Sequence, residues 1–546
     1  MTALIERGRA GPPAASVGQV TDHPSATPTA PAAHGRLATL MPMPLLVEAR
    51  ERGLVLTGRP GARGDAAWLQ LAEDLLRPGT GVRLDPADDP AVEVLRDPTL
   101  AAEAYRIDVD GHLRIAAGDV AGLRHACQTL RQLLPNTAGL PASPTGTTML
   151  IPGCHIEDAP RFAWRGAHLD VARHVMPLPW LFRFIDVLAL HRLNVLHLHL
   201  TDDQGWRFDV RAYPDLTRTG GWRRETRNPG EPEGDATPHG GFYTQDQLRS
   251  LVAHAASRGI TVVPEIDLPG HVRALLAAYP EFGLGRNPVA TTFGIFPEVL
   301  QLRDDTMTMV EQIFAEVLDV FPSPWIHIGG DECPRMQWRD DPVSARLASA
   351  RGLSSVDELQ RWFTGHLHRW LTAHGRRVVG WDEILDDGPV PDAVVMAWRD
   401  VRYGLEALRQ GNEVVMAPGP FTYFDRYQSA DPDEPLGQPG LVTWQDVVSY
   451  DPTAGIPADR LGGLLGVQGQ LWSEYLHTPQ EVEYMAFPRL ALLAEVGWRG
   501  RVLAEGIEHR LDAHLARLGA AGVEYRPLTG PRPWHRGGSG RRRRQG

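Results

Sequence analysis

The sequence predicts an α/β protein: a (β/α)8 TIM barrel preceded by a small α+β domain. Three observations predict it. From about Arg165 onward, short apolar stretches alternate with helical ones, as parallel β/α units require. Eight strand-length segments can be counted between Gly166 and Leu471. Each of the eight is followed by polar or aromatic residues, and the C-terminal mouth of such a barrel is where binding groups collect.

Taken in order, residues 1–40 read as a disordered leader, dominated by Pro, Ala, Ser and Thr with little to bury. Residues 41–155 form the small domain. There, Ala66–Leu76 carries a helical period, Ala104–Ile115 alternates like a hairpin, and Val120–Leu134 reads as an amphipathic helix. Residues 156–530 form the barrel. Its strands are expected at Gly166–Val171, Asn194–Leu200, Thr261–Glu265, Trp325–Ile328, Arg377–Trp381, Ala393–Trp398, Glu413–Ala417 and Leu464–Leu471. Helices are expected at Trp180–Arg192, Thr244–Arg258, Thr306–Phe321 and Val356–His374. Two turn-rich gaps, Thr217–Gly241 and Pro418–Gly463, are long enough to be binding loops. Residues 531–546 end in a Gly/Ser stretch and four arginines, read as a solvated, disordered tail.

Composition narrows the chemistry. A net charge of -12 argues against nucleic acid as a partner, because phosphate binding needs a basic surface. All 55 basic residues are arginine, so Schiff-base and pyridoxal-phosphate chemistry, Lys-type phosphate loops and carboxylated-lysine metal sites are excluded. Cys127, Cys154 and Cys333 lack CxxC spacing and are odd in number, against a disulfide framework or a structural zinc site. No run of 18 apolar residues suggests a membrane span. The N-terminus shows no secretory apolar segment, giving a cytoplasmic expectation that a misassigned start or non-standard export would change to secreted.

The predicted strand ends gather Asp170, Arg173 and His174; Asp202 and Asp203; Glu265, Asp267 and His271; Asp331 and Glu332; Trp381, Asp382 and Glu383; Trp398; Tyr423 and Asp425; Trp472 and Glu474. Many carboxylates with one candidate arginine and several indoles suit a neutral polyol. Carboxylates accept hydrogen bonds from hydroxyls, and indole faces pack on the apolar face of a pyranose. Asp331 and Glu332 are adjacent, and neighbours on a regular strand point to opposite faces, which makes a poor pair for flanking one bond. The two preceding glycines permit a bend that aims both into a pocket.

At these residues the chain resembles glycoside hydrolase family 20, the β-N-acetylhexosaminidases. The most specific block is His327-Ile-Gly-Gly-Asp-Glu332; others are Leu169–His174, Asn194–His199 with Asp202-Asp203, Pro264–His271, Gly380–Glu383, Tyr423–Asp425 and Gln470–Glu474. The resemblance implies hydrolysis of terminal N-acetylglucosamine or N-acetylgalactosamine from β-linked oligosaccharides or glycoconjugates, with no cofactor and no metal. It implies that Glu332 is the general acid and then base, and that Asp331 orients the substrate's 2-acetamido group. That group's carbonyl oxygen replaces an enzyme nucleophile and forms an oxazolinium intermediate, in a family set apart from ordinary retaining glycosidases. By the same resemblance Arg173 and Glu474 hold sugar hydroxyls, while Trp381, Trp398 and Trp472, with Trp444 as a fourth wall, form the aromatic pocket. Tyr423 binds the acetamide carbonyl, Asp425 binds hydroxyls, and Asp202 and His271 support the acid.

Two other readings stand beside this one. His197 and His199 lie at i and i+2 on one strand face, so with His271 they could form a metal-dependent hydrolase site, or they could be interior histidines satisfied by neighbours. A glycan-binding protein without catalysis is the other, against which the intact Asp331-Glu332 pair argues. A chitinase-like enzyme would carry a D-x-x-D-x-D-x-E motif, which is absent.

Overall fold

The computed structural model describes residues 35–78, 80–134, 149–228 and 231–535. In the first domain, the expected hairpin is Tyr105–Val109 paired antiparallel with Leu113–Ala117. It lies inside a seven-stranded mixed sheet that runs from Leu46–Ala49 to Asp85–Pro86. Tyr105–Val109 buries every second side chain, the alternation of a sheet with one covered face. The cover is two helices, Ala66–Leu76 and Val120–Leu133, packed on each other and on the sheet. Asp65 caps the first by accepting the Ala67 and Trp68 amide hydrogens.

The leader boundary needs correction. Gly35–Thr39 is a short 3-10 helix, and Leu37 and Leu40 are buried in the first domain's core. Arg517, from a C-terminal helix, donates to the Thr39 carbonyl. Two apolar side chains with somewhere to go hold this stretch in place despite its Pro/Ala-rich approach. At the other end, Arg532 pairs with Glu524 at 2.8 Å and the His535 ring centre lies 4.4 Å from that of Tyr484, so the chain is still packed on the barrel there. The rest of the expected leader and tail lies outside the described residues.

Eight parallel strands close the barrel: β1 (Trp164–Asp170), β2 (Val195–His199), β3 (Thr261–Glu265), β4 (Trp325–His327), β5 (Arg377–Trp381), β6 (Val394–Ala397), β7 (Glu413–Met416) and β8 (Leu464–Gly469). Closure is made by β1 against β8, with Trp164 opposite Gly466. β1 is buried along its whole length, as a strand covered on both faces must be, and it carries the polar Arg165, His168 and Asp170 into the interior. The expected crossover helices appear as Leu178–Leu190, Gln245–Ser257, Asp304–Val320 and Leu359–Ala373. Thr244 closes a capping box with Gln247 at the start of the second.

Both long gaps are ordered over their described parts. The second folds into short helices, Gly419–Thr422 and Trp444–Ser449, and a strand pair, Arg426–Tyr427 with Gln438–Leu441. Among the described residues no helix is long and apolar enough to cross a membrane. The two domains share a buried polar seam. The strand Cys154–Asp158 pairs with Tyr105–Val109, so the first domain's sheet runs past the expected boundary at 155. Its last residue, Asp158, accepts from Arg192 Nη1 (2.7 Å), the Tyr105 hydroxyl (2.7 Å) and Trp498 Nε1 (2.8 Å).

Candidate active site

β4 ends at His327, and the next five residues make the site. Gly329 and Gly330 take φ of +70° and +94°, and Glu332 itself takes +46°. Asp267 presses against this turn: its Oδ1 accepts the Gly330 amide hydrogen at 3.1 Å, and a Cβ on Gly329 would lie 1.7 Å from that oxygen. Glycine is therefore required at 329 both by conformation and by space. Breaking the strand geometry here lets both Asp331 and Glu332 line one pocket. A non-glycine residue held in the left-handed region stores about 1–3 kcal/mol, a cost that folds tend to confine to working sites.

His271, also left-handed at φ +50°, ties the pair to the barrel. Its Nε2 lies 3.6 Å from Glu332 Oε2 and 3.8 Å from Asp331 Oδ2, while Nδ1 faces Asp203 at 3.0 Å and Asp202 at 3.5 Å. Despite its burial, the Asp202 carboxylate and its other acidic partners raise His271 well above the ordinary histidine range, so it carries a charge. Asp202 is buried too, yet Arg173 and His271 hold it well below the carboxylate range. Arg173 Nη2 reaches Asp202 at 2.8 Å, and its guanidinium lies 4.9 Å from the Trp472 ring centre. Further in, His199 bridges Asp202 (2.9 Å) and Glu265 (2.6 Å), and Glu265 accepts from Trp381 Nε1 at 2.8 Å. A continuous polar network thus fixes the pocket floor from behind.

The walls are aromatic. Trp381 and Trp472 have ring centres 5.7 Å apart, and Trp398 stacks on Tyr423 at 5.8 Å with an interplanar angle of 24°. Glu383 accepts from Trp398 Nε1 at 2.9 Å and so orients that wall. Burial, with the added repulsion of Asp331 and Asp382, pushes Glu383 up to about 8. Burial and Glu474 likewise push Asp425 up to about 8, and burial raises Glu474 against the pull of Arg173. Asp331 rises to about 6, through burial and the nearby Glu265 and Glu332 carboxylates, opposed by His271. Glu332 is different in exposure, with a third (34%) of its side chain open, enough for a leaving group or water to reach it. Such a floor brings a partly exposed carboxyl, Glu332, and a buried one, Asp331, together with further polar groups around an indole-walled slot.

The pocket is lined by Asp331, Glu332, Arg173, Trp381, Trp398, Tyr423, Asp425, Trp472 and Glu474, all of them expected. Asp202 and His271 stand behind this lining, in contact with Arg173 and with the Asp331-Glu332 pair. Trp444 is the exception. It opens the helix Trp444–Ser449, is half-buried, and packs on the hydrophobic core instead of lining the pocket. The side chains that the same insertion does bring to the pocket are Arg426, Gln438 and Pro439, which the sequence reading did not single out. Asp267 and Glu383 were legible as strand-end acids but not as supports for Gly330 and Trp398.

His197 and His199 are buried in the barrel interior with His168 and His327 around Glu265. His197 lies 2.9 Å and His327 3.2 Å from Glu265, and donor atoms of this trio fall within 4.8 Å of one another, close enough to hold an ion. His197 Nδ1 faces Gln468 Nε2 at 3.0 Å and His327 Nδ1 accepts the Gly329 amide hydrogen at 3.1 Å, while His197 Nε2 and His327 Nε2 have no hydrogen-bond partner among the described residues.

A closed β/α barrel whose mouth joins an exposed carboxyl, a buried carboxylate and an indole-walled slot defines a glycoside hydrolase. The chain belongs to glycosyl hydrolase family 20: its catalytic-domain profile matches residues 162–501, and the family's domain 2 profile matches residues 38–159. A β-hexosaminidase of Porphyromonas gingivalis is 36% identical over 81% of this chain, which spans 56% of that protein's length. Two solved structures are similar throughout. The exo-β-N-acetylglucosaminidase of Vibrio harveyi, in complex with N-acetylglucosamine, superposes with a TM-score of 0.79 at 32% identity, covering 90% of this chain and 78% of that one. The N-acetyl-β-hexosaminidase of Streptomyces plicatus does so with a TM-score of 0.77 at 32% identity, covering 91% and 98%.

Proposed function

We propose that this chain removes terminal, non-reducing N-acetylglucosamine or N-acetylgalactosamine from β-linked glycans, chitooligosaccharides included, by a retaining, substrate-assisted mechanism. The observation that carries the reading is the side-by-side pair Asp331 and Glu332, both within 3.8 Å of one charged imidazole nitrogen. Neighbours on one turn are ill placed as a nucleophile and an acid on opposite ring faces, so the nucleophile falls to the substrate. In the first step the acetamido carbonyl oxygen bonds to the anomeric carbon. The glycosidic C–O bond breaks, and the Glu332 proton goes to the leaving oxygen. Asp331 accepts the amide N–H, and Tyr423, whose phenol burial keeps protonated, donates to the attacking carbonyl oxygen. In the second step water attacks the anomeric carbon, gives its proton to Glu332, and the oxazolinium ring opens to restore the acetamide. His271, charged and anchored by Asp202 and Asp203, holds both carboxyls in register.

The test compares hydrolysis of p-nitrophenyl N-acetyl-β-glucosaminide with the plain β-glucoside, chelator present. Release from the acetamido substrate alone is the expected result. Equal rates would mean that an enzyme carboxylate attacks. Activity lost to chelator and restored by metal would move the chemistry to the histidine–Glu265 trio.

A further inference from the structure

A second cavity lies between the two domains. It is walled by the first domain's helices Ala66–Leu76 and Val120–Leu133, the barrel helix Leu178–Leu190, and the turns after Gln245–Ser257 and Ile507–Ala520. In a protein of net charge -12, three of its lining side chains are arginines, Arg131, Arg183 and Arg258, each from a different segment. Its acids, Asp74 and Asp186, are already engaged. Asp186 Oδ1 accepts from Arg258 Nε at 2.6 Å and faces His254 Nε2 at 3.1 Å, and Asp74 accepts from Gln70 along its own helix at 3.0 Å. Arg131 is left with one partner. Its Nη1 donates to the Gln128 amide oxygen at 3.2 Å, and among the described residues its guanidinium enters no ion pair. Gln128 also lines the cavity; it is buried, 4% exposed, and among the described residues its amide nitrogen donates to nothing. Arg183 turns only Nη2 toward neighbours, the Ala521 and Gly522 carbonyls and Glu483 at 4.0 Å. The cations also crowd one another. Arg124 joins the patch, since a Cβ on Gly259, next to Arg258, would lie 3.4 Å from its Cδ. Burial lowers both Arg131 and Arg124 from the ordinary arginine range, and Arg258 adds its repulsion to each.

We propose that this interdomain cavity is a binding site for a phosphate group. Guanidinium forks match phosphate oxygens in two-point contact. Forks that reach one cavity from three segments favour an anion with oxygens on every side. A tetrahedral phosphate meets that need, whereas a planar carboxylate can face only one fork in two-point contact. The Gln128 amide supplies a neutral donor for a further oxygen. Phosphate also brings about −1.5 to −2 of charge, which removes the mutual repulsion of the arginines. Because Gln128 and Arg131 belong to the first domain and Arg183 and Arg258 to the barrel, the bound group ties the two together. The site is separate from the sugar pocket and does not depend on the reaction there.

The experiment is equilibrium dialysis of the whole chain against radiolabelled inorganic phosphate, with potassium chloride holding the ionic strength constant so that screening does not change. The wild type is expected to bind saturably, with one phosphate per chain. Arg131→Gln should weaken binding about ten- to a hundredfold, the scale of a hydrogen bond to a charged group, and Arg131→Lys should weaken it less. Arg183→Gln, at a more exposed side chain, repeats the test where little packing is lost, so a failure of Arg131→Gln to fold leaves the question answerable. Competitors identify the ligand and the place. Acetate should not displace the label, and neither should N-acetylglucosamine, which fills the sugar pocket. Displacement by glucose 6-phosphate assigns the site to phosphate monoesters as well, and its failure assigns it to the free ion; either result upholds the site. No saturable uptake by the wild type overturns the proposal, as does an affinity unchanged in both glutamine variants. Displacement by acetate overturns the tetrahedral preference, and displacement by N-acetylglucosamine moves the phosphate to the sugar pocket and removes the interdomain site.

Discussion

In the proposed mechanism Asp331 works as an anion, because ionisation strengthens its hydrogen bond from the acetamido N–H and offsets the positive charge of the oxazolinium. Burial places its change of state at about 6, and His271, held charged by its acidic partners, does not titrate in that window. Activity on the acetamido substrate should therefore fall as pH drops through about 6. The groups facing Asp331 include Glu265, Asp267, Glu332, Glu383, His199 and His271, and of these the two histidines are charged throughout. A pH–kcat profile checks the assignment: Asp331→Asn should be slow everywhere and lack the acid limb. A limb retained near the same pH in that variant would assign it to another group. At this scale the sequence was informative wherever a residue belonged to a compact block, as Asp331, Glu332, Trp381 and Trp472 do. It was uninformative for Arg426 and misleading for Trp444, both in the long insertion. There no strand or helix period fixes which side chain turns inward, and a tryptophan serves a core as readily as a sugar pocket.

The working element is the β4 turn, and its geometry depends on Gly329. Alanine there meets two obstacles at once, a φ of +70° and an Asp267 oxygen 1.7 Å from the new carbon. The conformational penalty alone is about 1–2 kcal/mol, and Asp267 cannot withdraw without releasing the Gly330 amide. Gly329→Ala should lower the melting temperature and cut turnover at least about tenfold, the effect of a misaimed catalytic pair. Thermal melts and kcat on the same preparations check it; full activity would mean that the turn tolerates a shift of Asp267. All eight strands were legible in the sequence because an apolar run between turn residues is a local signal. Their ends moved by a residue or two, as at β8, expected to Leu471 and ending at Gly469. A strand's end is set by its neighbour's hydrogen bonds, which the sequence does not carry.

At the level of the whole molecule, the first domain is joined to the barrel through charge as well as apolar contact. Asp158 and Arg192 are fully buried, 2.7 Å apart, one at the end of the first domain and the other just before β2. Tyr105, Thr129 and Trp498 complete the seam: Thr129 accepts from Arg192 Nη2 at 2.6 Å, and the Arg192 guanidinium lies 4.7 Å from the Trp498 ring. None of this could be read from the sequence, because its members are as far apart as residues 105 and 498 and each looks ordinary in its own segment. A pair so placed contributes little beyond what apolar residues of the same shape would, but removing one partner strands a buried charge. Asp158→Ala leaves Arg192 with a hydroxyl and an aromatic ring in place of its carboxylate, and should cost about 3–5 kcal/mol. Urea titrations followed by tryptophan fluorescence and by circular dichroism read that loss as a shift in midpoint. The two probes should coincide in the wild type if the seam makes one cooperative unit of both domains, and separate in Asp158→Ala. Coincident probes and an unmoved midpoint in the variant would show that apolar packing alone joins the domains, and that the buried ion pair contributes nothing to the union.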